Sequence, residues 1–294
     1  QKPNGKKVRF KDERAIKFLS NNQSKDKIFS VSALNENIQT LDSLAGISAT
    51  ASLEAGETDG ETDVILEIED QKRITGSFSA DNHGSRSSGI GRASTLINMN
   101  SALHMGETIT FQNVYTYGSN YYSLGISGPV GYKGVTASLR GSVMDYNLGT
   151  PLKSTEPQGD SKELSLSINF PTLAYKNLTA SFSFGAGFNE YLNKTTSGVS
   201  SEKTNLKSNF DINLGLVDSF LGGGLNTLSL SFSHGEIDLG DNLSNLISDS
   251  TSARTQGNYE KIGLNFSRTQ ILSDRNSLFF STNGQYGFKN LDSA

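Results

Sequence analysis

The sequence predicts a mainly β protein, an antiparallel transmembrane β-barrel of about eleven strands preceded by a small α+β domain. Long stretches alternate apolar residues with small polar ones, and turn residues separate these stretches. Glycine and aromatic residues are abundant, with 30 Gly, 16 Phe and 10 Tyr, although hydrophobic residues make up only 34% of the 294 residues. Such a chain is typical of strands and turns, because successive side chains of a strand point to opposite faces.

Residues 1–70 predict the α+β domain. Its basic start comprises Lys2, Lys6, Lys7 and Arg9. A helix is predicted where apolar residues recur every three or four positions and share one face, with Gly46 placed to end it. These apolar residues are Val31, Leu34, Ile38 and Leu41. The alternating runs ISATASL and DVILEIE, joined by EAGETDGET, predict a β-hairpin.

From residue 71 to the end, the alternation predicts consecutive strands with no helix between them. The strands are expected near 72–83, 90–104, 107–117, 119–130, 135–147, 161–171, 177–190, 204–218, 224–239, 256–272 and 275–289. The connections GETI, YGSNYY, YKNL and SDRN are short, whereas GTPLKSTEPQGD and GEIDLGDNLSNLISDSTSARTQG are long. Short turns at one end and long loops at the other are typical of an outer-membrane barrel.

The stretch LSLSINFPTLAYKNLTASFSFGAGF, residues 164–188, predicts a hairpin that turns at YKN. A soluble β-sandwich alternates in the same way, so alternation alone leaves both folds open. Strands longer than ten residues and tyrosines near predicted strand ends favour the membrane barrel. These tyrosines are Tyr115, Tyr117, Tyr121, Tyr122, Tyr132, Tyr146, Tyr175 and Tyr191. In a barrel, Phe182, Phe184 and Phe188 would face lipid, whereas the interior would be lined by Ser181, Ser183, Gly185 and Gly187.

Composition and charge exclude several classes of function. The net charge is −4 and no Lys/Arg cluster interleaves with aromatic residues, which argues against a nucleic-acid partner. The absence of cysteine excludes disulfides, thiol catalysis and cysteine-bound metals. No run of about 18 apolar residues predicts a transmembrane helix, although barrel strands need only about 9–11 alternating residues.

We predict no enzymatic activity and no catalytic, cofactor-binding or metal-binding residue. The Gly-x-Gly motifs of SGIGRAS and FGAGFNE lack the helix and the Lys-Ser/Thr of a phosphate-binding loop. His83, His104 and His234 stand without a second ligand at metal spacing. The acidic run GETDGETD does not have the twelve-residue calcium-loop pattern, and no Gly-x-Ser-x-Gly elbow has matching Asp and His partners.

Four segments carry motifs in a consistent order along the chain. The first joins the two predicted regions through Leu34, Asn35, Leu41, Ala45, Gly46, Ile47, Leu53, Gly56, Gly60, Thr62, Asp63, Asp81, Asn82, Gly84 and Gly89. The other three contain Pro129, Gly131, Gly134, Tyr146, Leu148 and Gly149, then Gly159, Phe170, Pro171, Asn177 and Leu178, then Gln285, Leu291, Asp292 and Ser293. Together they resemble the hemolysin secretion/activation family of two-partner secretion transporters.

The resemblance implies a sixteen-stranded outer-membrane barrel preceded by two periplasmic POTRA domains. Residues 1–70 would then be part of the second POTRA domain, and residues 71–294 an incomplete barrel, so we interpret the chain as a fragment. We expect structural or lumenal roles for eight motif positions. They are Asp81, Asn82, Gly84, Pro129, Tyr146, Pro171, Gln285 and Asp292.

The resemblance implies that the protein is a pore that exports and activates a large partner exoprotein such as a hemolysin, adhesin or contact-dependent toxin. The pore would work without nucleotide hydrolysis. Its partners would be the unfolded exoprotein and outer-membrane lipid, with no cofactor and a monomeric state. Two alternatives are an insertase of the same superfamily, which also couples POTRA domains to a barrel, and a surface β-protein that acts as an adhesin.

Overall fold

The computed structural model describes residues 8–21, 30–56, 58, 61–150, 156–240 and 242–292. Its helices are α1 (Asp12–Leu19), α2 (Val31–Asp42) and α3 (Leu243–Thr251). Its strands are β1 (Ile47–Ala55), β2 (Thr62–Asp70), β3 (Ile74–Asp81), β4 (Arg92–Asn100), β5 (Thr108–Thr116), β6 (Ser119–Pro129), β7 (Thr136–Asn147), β8 (Gln158–Asn169), β9 (Leu173–Tyr175), β10 (Leu178–Thr195), β11 (Gly198–Asp218), β12 (Gly224–Asp238), β13 (Gly257–Ser273) and β14 (Asn276–Gly287). In the part of the chain so described, no helix is both long and apolar enough to cross a membrane.

The chain divides into two compact units. The first comprises residues 1–79, 95–112 and 124–138, and the second comprises the remaining residues. Strands β1 and β2 form a two-stranded sheet of their own, and β3 to β14 form a second sheet. The predicted domain boundary at residue 70 therefore falls between two separate sheets, because β2 ends at Asp70 and β3 begins at Ile74.

The N-terminal helices bury one face each. Ala15 and Phe18 of α1 are buried. Acidic residues lie in its first turn, where their negative charge interacts favourably with the positive end of the helix dipole. Helix α2 begins after Ser30, whose hydroxyl accepts a hydrogen bond of 3.3 Å from the Ala33 N–H. The predicted helix is thus confirmed, although Val31 is exposed rather than part of its buried face.

Asn37 takes a buried place on α2 that the apolar pattern does not predict. Its side chain is 5% exposed, and its Nδ2 atom donates hydrogen bonds to the carbonyl oxygens of Leu19 at 2.8 Å and Asn21 at 2.6 Å. These carbonyls lie at the end of α1 and just beyond it, where backbone acceptors lack partners within the helix. Asn37 therefore ties the end of α1 to α2.

The hairpin predicted for ISATASL and DVILEIE is confirmed. Strands β1 and β2 pair from Ile47 with Asp70 to Ala55 with Thr62. The core beneath the helices is formed by Phe10, Ala15, Phe18, Leu41, Leu44, Ile47, Ala49 and Ile68. Gly46 precedes β1 with a φ angle of +81°, and an added Cβ atom would lie 3.0 Å from the Cβ of Ser101. Only glycine suits this backbone conformation and this close approach.

All eleven strands predicted after residue 71 are present. They follow each other along the large sheet in chain order from β3 to β14, with the short β9 pairing beside β10. The predicted turn at YKN is also found, because Tyr175 of β9 pairs with Leu178 of β10. The sheet as described has two ends, β3 and β14, and does not close on itself.

The structure differs from the prediction in two connections. Strands β10 and β11 continue to Thr195 and from Gly198, so the predicted loop at 191–203 is mostly strand. Its polar sequence hides the alternation, because both faces of this part of the hairpin carry polar residues. The second difference is α3, which begins after the N-cap Asn242 in a loop that was predicted to lack helix.

Short and long connections do not lie at opposite ends of the strands, because one end carries connections of both kinds. In the second unit, the connections at 148–157 and 239–256 lie at the same end of the strands as the short turn at 196–197. We call this end the loop end of the sheet. The turns at 219–223 and 274–275 lie at the opposite end.

Phe18 provides a test of the N-terminal core. It is 0% exposed and packs against Phe10 and, edge to face at 5.0 Å between ring centroids, against Tyr132. We expect Phe18→Ala to destabilise this core by about 3–5 kcal/mol, because the surrounding side chains relax only partly into the cavity that the lost ring leaves. Hydrogen–deuterium exchange at the amides of α1 and α2 should accelerate accordingly. Ile16→Ala, at an exposed position of the same helix, is the matched control, and equal acceleration in both variants would contradict the packing described.

Candidate functional site

The strands β8 and β10 to β14 present one polar face. Cross-strand register aligns the residues of this face in rows that run across the sheet. One such row consists of Asn169, Ser183, Asp211, Ser231, Gly263 and Gln285. The next two rows toward the turns, across β11 to β14, consist of Asn213, Ser229, Asn265 and Asn283, and of Gly215, Thr227, Ser267 and Ser281. This face is therefore lined by short polar side chains and glycines.

The opposite face of the same strands is apolar and uncovered. The row beside the first polar row consists of Ile168, Phe184, Phe210, Phe232, Ile262 and Tyr286. Phe184 is 48% exposed and Phe232 is 42% exposed. Among the described residues, buried hydrophobic side chains lie in the N-terminal core and at Ile237 and Leu239, not along this face. A soluble sandwich would cover the apolar face with a second sheet, whereas in the described part of the chain Phe184 and Phe232 remain nearly half exposed.

Tyr146 joins three strands on the polar face. Its ring lies beside Gly159 of β8, where an added Cβ atom would be 2.8 Å from the Tyr146 hydroxyl. The hydroxyl donates a hydrogen bond of 2.6 Å to Oδ1 of Asn193 on β10. Tyr146 of β7 thus crosses β8 and holds β10.

Tyr259 makes the same kind of contact from the other side. Its ring lies over Gly235 of β12, where an added Cβ atom would be 2.6 Å from the ring. Its hydroxyl donates a hydrogen bond of 3.1 Å to Oδ1 of Asn205 on β11. Asn193 and Asn205 lie in the two strands of the β10–β11 hairpin near its tip, so the hairpin is held from both sides.

An ion pair lies between these two tyrosines. Lys203 of β11 is directly opposite Tyr191 of β10, and its ammonium lies 5.5 Å from the Tyr191 ring centroid. The same ammonium contacts the carboxylate of Asp292, and the two side chains are only 12% and 18% exposed. Asp292 follows β14, so the contact spans β13 and β12.

A second charged network lies on the apolar face near the turn at 219–223. Arg268 forms a bidentate pair with Asp218 at 2.6 and 3.0 Å and also contacts Asn226 at 2.6 Å. Gln270 accepts from Arg268 and donates to the carbonyl of Gly223 at 2.9 Å. No local sequence pattern indicates these residues, because 50 positions separate Asp218 from Arg268. The network closes this turn without leaving a net charge.

The motif residues after β3 form a folded loop. The Asp81 carboxylate accepts hydrogen bonds from the His83 N–H at 2.9 Å and from Arg92 at 3.0 Å. Gly84 approaches the chain so closely that an added Cβ atom would lie 2.1 Å from the Gly89 carbonyl oxygen. Asn82 is exposed in this loop.

The remaining predicted positions are dispersed. Pro129 ends β6, Pro171 lies between β8 and β9, and Gln285 lies on the polar face of β14. Of the eight motif positions, Tyr146, Gln285 and Asp292 share the polar face or its rim, and the structure does not gather the others around them. Ser293, Gly60 and the basic residues Lys2, Lys6 and Lys7 lie outside the described residues.

Three of the tyrosines predicted near an interface lie elsewhere. Tyr146 and Tyr191 belong to the polar face, and Tyr132 packs on Phe18. Alternation within β10 already indicates the position of Tyr191, because it is separated by even steps from Ser181 and Ser183. The prediction from strand ends used distance along the chain and ignored this parity.

The histidines do not form a metal site in the part of the chain that the structure describes. His234 lies 3.7 Å from Glu260, His83 lies 4.0 Å from Asp81, and His104 occupies the β4–β5 turn. Within those residues no group of three potential metal ligands occurs.

A broad antiparallel sheet with one polar face and one exposed apolar face is typical of the wall of a membrane β-barrel. The family model described as haemolysin secretion/activation protein ShlB/FhaC/HecB matches residues 60–294. The chain belongs to this family. The match confirms the resemblance that the sequence motifs indicate, and family membership assigns the protein to the outer membrane.

Curated relatives and solved structures agree with this assignment. The heme/hemopexin transporter protein HuxB of Haemophilus influenzae is 25% identical over 268 residues, which are 87% of this chain and 45% of HuxB. CdiB from Escherichia coli superposes with a TM-score of 0.72 at 17% identity, over 95% of this chain and 52% of CdiB. CdiB from Acinetobacter baumannii gives 0.68 at 14% identity, over 98% and 52%.

A BamA structure from Haemophilus ducreyi that lacks POTRA domains 1–3 is also similar. Its TM-score is 0.58 at 15% identity, over 97% of this chain and 54% of that one. At such identities these structures support the fold alone. The chain spans about half the length of the relatives that it matches.

The Tyr259–Asn205 contact gives a test of the polar face. Asn205 is 2% exposed, so Tyr259→Phe would leave a buried amide oxygen without its donor. We expect the free energy of unfolding to fall by about 1–3 kcal/mol, measured from the denaturant midpoint of heat-modifiable gel mobility of the refolded protein. Tyr286→Phe, which removes a hydroxyl from a largely exposed ring, is the control. A loss of the same size in both variants would contradict a role for the hydrogen bond.

Proposed function

We propose that this chain is part of an outer-membrane pore that secretes a large, unfolded partner exoprotein without nucleotide hydrolysis. The observation that carries the proposal is the two-faced sheet of β8 and β10 to β14. Its apolar face would contact lipid, and its polar face would line the route of the cargo. Family membership supports the same function, because the matching family is described by haemolysin secretion and activation.

The height of the apolar face supports a membrane location for these strands. On β11 one face carries apolar residues from Leu206 to Leu216, interrupted by Ser208. At about 3.4 Å per residue and a tilt of about 40°, this run covers roughly 25 Å along the membrane normal. That height equals the apolar band of about 25 Å in outer-membrane barrels. Toward the loop end, the same face continues with the polar residues Thr204 and Glu202.

The chemistry of the polar face suits passage of an extended chain. Serine, threonine and asparagine side chains exchange hydrogen bonds with a passing backbone as water does, and glycine leaves room for it. Folding of the cargo outside the cell would supply the direction of movement. We assign residues 1–70 to the periplasm as a partial POTRA domain, and residues 71–294 to the barrel, which would act as a monomer.

The free edge of β1 is the surface that we propose for cargo docking. Gly56 donates to Glu61 in the β1–β2 pair, so even-numbered residues of β1 bond to β2 and odd-numbered ones point their N–H groups away. The Asp42 carboxylate accepts from one of these outward groups, the N–H of Ala49, at 2.8 Å. The outward donors of Ala51 and Leu53 follow on the open edge, where an extended segment could add a strand by β-augmentation.

An insertase function for other barrel proteins is the second candidate, supported by the fold likeness to BamA at a TM-score of 0.58. The likeness to the two CdiB structures is greater, at 0.72 and 0.68. Restoring the full-length gene beside a candidate exoprotein distinguishes the two. Secretion of the exoprotein supports the transporter, whereas a general loss of outer-membrane proteins on deletion supports the insertase.

The two faces can be distinguished by single cysteines, because the chain has none of its own. Phe232→Cys and Ser233→Cys are adjacent on β12 and lie on opposite faces. In the full-length protein in lipid vesicles, we expect Ser233→Cys to react with a charged maleimide. A bimane label at Phe232→Cys should be quenched by brominated lipid. Equal maleimide reaction at both positions would contradict a lipid-facing apolar side.

The docking surface can be tested at Leu53. Leu53→Pro removes one outward donor from the free edge but no β1–β2 hydrogen bond, so the hairpin should persist. We expect exoprotein secretion to fall about tenfold, the equivalent of about 1.4 kcal/mol for one hydrogen bond. Leu53→Ser changes the side chain and keeps the donor, and its secretion should stay near the unsubstituted level. Unchanged secretion by Leu53→Pro would place docking elsewhere.

A further inference from the structure

The segment Phe288–Asp292, which we call the latch segment, extends from β14 across the loop end of the sheet. Phe288 still donates to the carbonyl of Glu260 on β13 at 3.0 Å. Two residues later, Asn290 donates from Nδ2 to the carbonyl of Ala253 at 2.7 Å. Asp292 then reaches Lys203 on β11. The segment therefore passes β13 and β12 and contacts the polar face through Asp292.

The latch segment is also joined to the loop that carries α3. The ammonium of Lys289 contacts the carbonyl oxygens of Thr255 and Asn258 at 3.4 Å each and that of Gln256 more closely. The Asp249 carboxylate in turn accepts from Thr255 and Gln256. Burial raises the pKa of Asp249, but the hydrogen bonds from Thr255 and Gln256 lower it by more than burial raises it. The pKa of Asp249 therefore lies below its ordinary value. The loop and the latch segment thus form one connected body.

The wall that receives Asp292 is unusually well fixed. Tyr146 holds Asn193 of β10, and Tyr259 holds Asn205 of β11, on either side of the Tyr191–Lys203 pair. Lys203 of this wall contacts the latch segment through Asp292. Because both side chains of the Lys203–Asp292 pair are largely buried, loss of either charge would remove an opposite charge from a largely desolvated place.

We propose that Lys203 is a positioning residue that holds the latch segment and the α3 loop across the loop end of the polar face. The inference rests on the proposed pore function, because it assigns the held position to a closed mouth of the conduit. Release of Asp292 from Lys203 opens that mouth. Passage of cargo displaces the latch segment, and the ion pair returns it once the cargo has left.

The test is a charge exchange in the full-length protein reconstituted in planar bilayers. Lys203→Glu and Asp292→Lys each place like charges together, and we expect each to raise the open fraction of the ion current several-fold. The double variant, Lys203→Glu with Asp292→Lys, restores an opposite pair and should return the current toward the original level. Lys207→Glu is the matched control, because Lys207 lies on the same strand and the same face.

Two results would overturn the proposal. In the first, Lys207→Glu raises the current as much as Lys203→Glu does, which would mean that any added negative charge on the wall acts alike. In the second, the double variant has the same raised open fraction as the single variants, which would show that loss of the Lys203–Asp292 ion pair does not cause the opening. A purely structural role would instead lower stability in all variants and leave the open fraction unchanged.

A second readout does not depend on pore activity. Leu291→Cys introduces a unique thiol at a half-buried position of the latch segment in a chain without cysteine. Its reaction with a maleimide should accelerate in the Lys203→Glu background and slow again in the charge-exchanged one. If the reconstituted protein passes no current but the labelling follows this pattern, the proposed pore is wrong and the latch is retained. Labelling that is the same in all backgrounds overturns the latch.

Discussion

The register of the strands is the constraint on which the rest of this structure depends. Side chains alternate across a sheet with a period of two, so a slip of one residue would exchange the two faces of a strand. In the row through Ser183, Asp211 and Ser231, each pairing places polar beside polar, and the neighbouring row through Phe184, Phe210 and Phe232 places apolar beside apolar. A slip in any one strand would insert phenylalanines among serines. The separation of faces therefore fixes the register, and the register in turn brings the distant residues of the polar network together.

The sequence predicts those features that repeat locally and misses those that depend on distant residues. The eleven long strands after residue 71 were predictable because alternation is visible within ten residues, whereas the three residues of β9 are too few to show it. The faces of Phe184 and Ser183 followed directly from the alternation. The Tyr146–Asn193 and Tyr259–Asn205 contacts join residues that are 47 and 54 positions apart, so no local pattern could show them. The same holds for Asp218 and Arg268. The α3 helix was missed for a different reason, since nine residues in a polar loop contain little more than two turns of helical period.

Asp292 illustrates how a motif position and its role are separate inferences. The resemblance to the secretion family selected this residue, but it could not name a partner, and alternation in β11 did not distinguish Lys203 from Lys207. Both lysines face the same side of the same strand. Only the path of the chain after β14 decides which of them meets a carboxylate. Proximity in the fold, rather than residue type, thus separates the two lysines.

A conduit wall has to be stiff without binding what passes along it, and the distribution of side chains on the polar face meets both requirements. Its large residues, Tyr146, Tyr191 and Tyr259, are engaged with neighbouring strands near the loop end, where their rings cover glycines or face a lysine. In the rows from Asn213 to Thr227 the wall consists of serine, threonine, asparagine and glycine, several of which bond to each other, as Thr227 does to Ser267 and Ser229 to Asn213. Polar groups that already have partners gain little from a further one, so they hold a passing chain weakly. The stiffening contacts are therefore concentrated where the hairpin and the latch segment meet, and in the proposed pore the rows of small polar side chains would be left for the cargo.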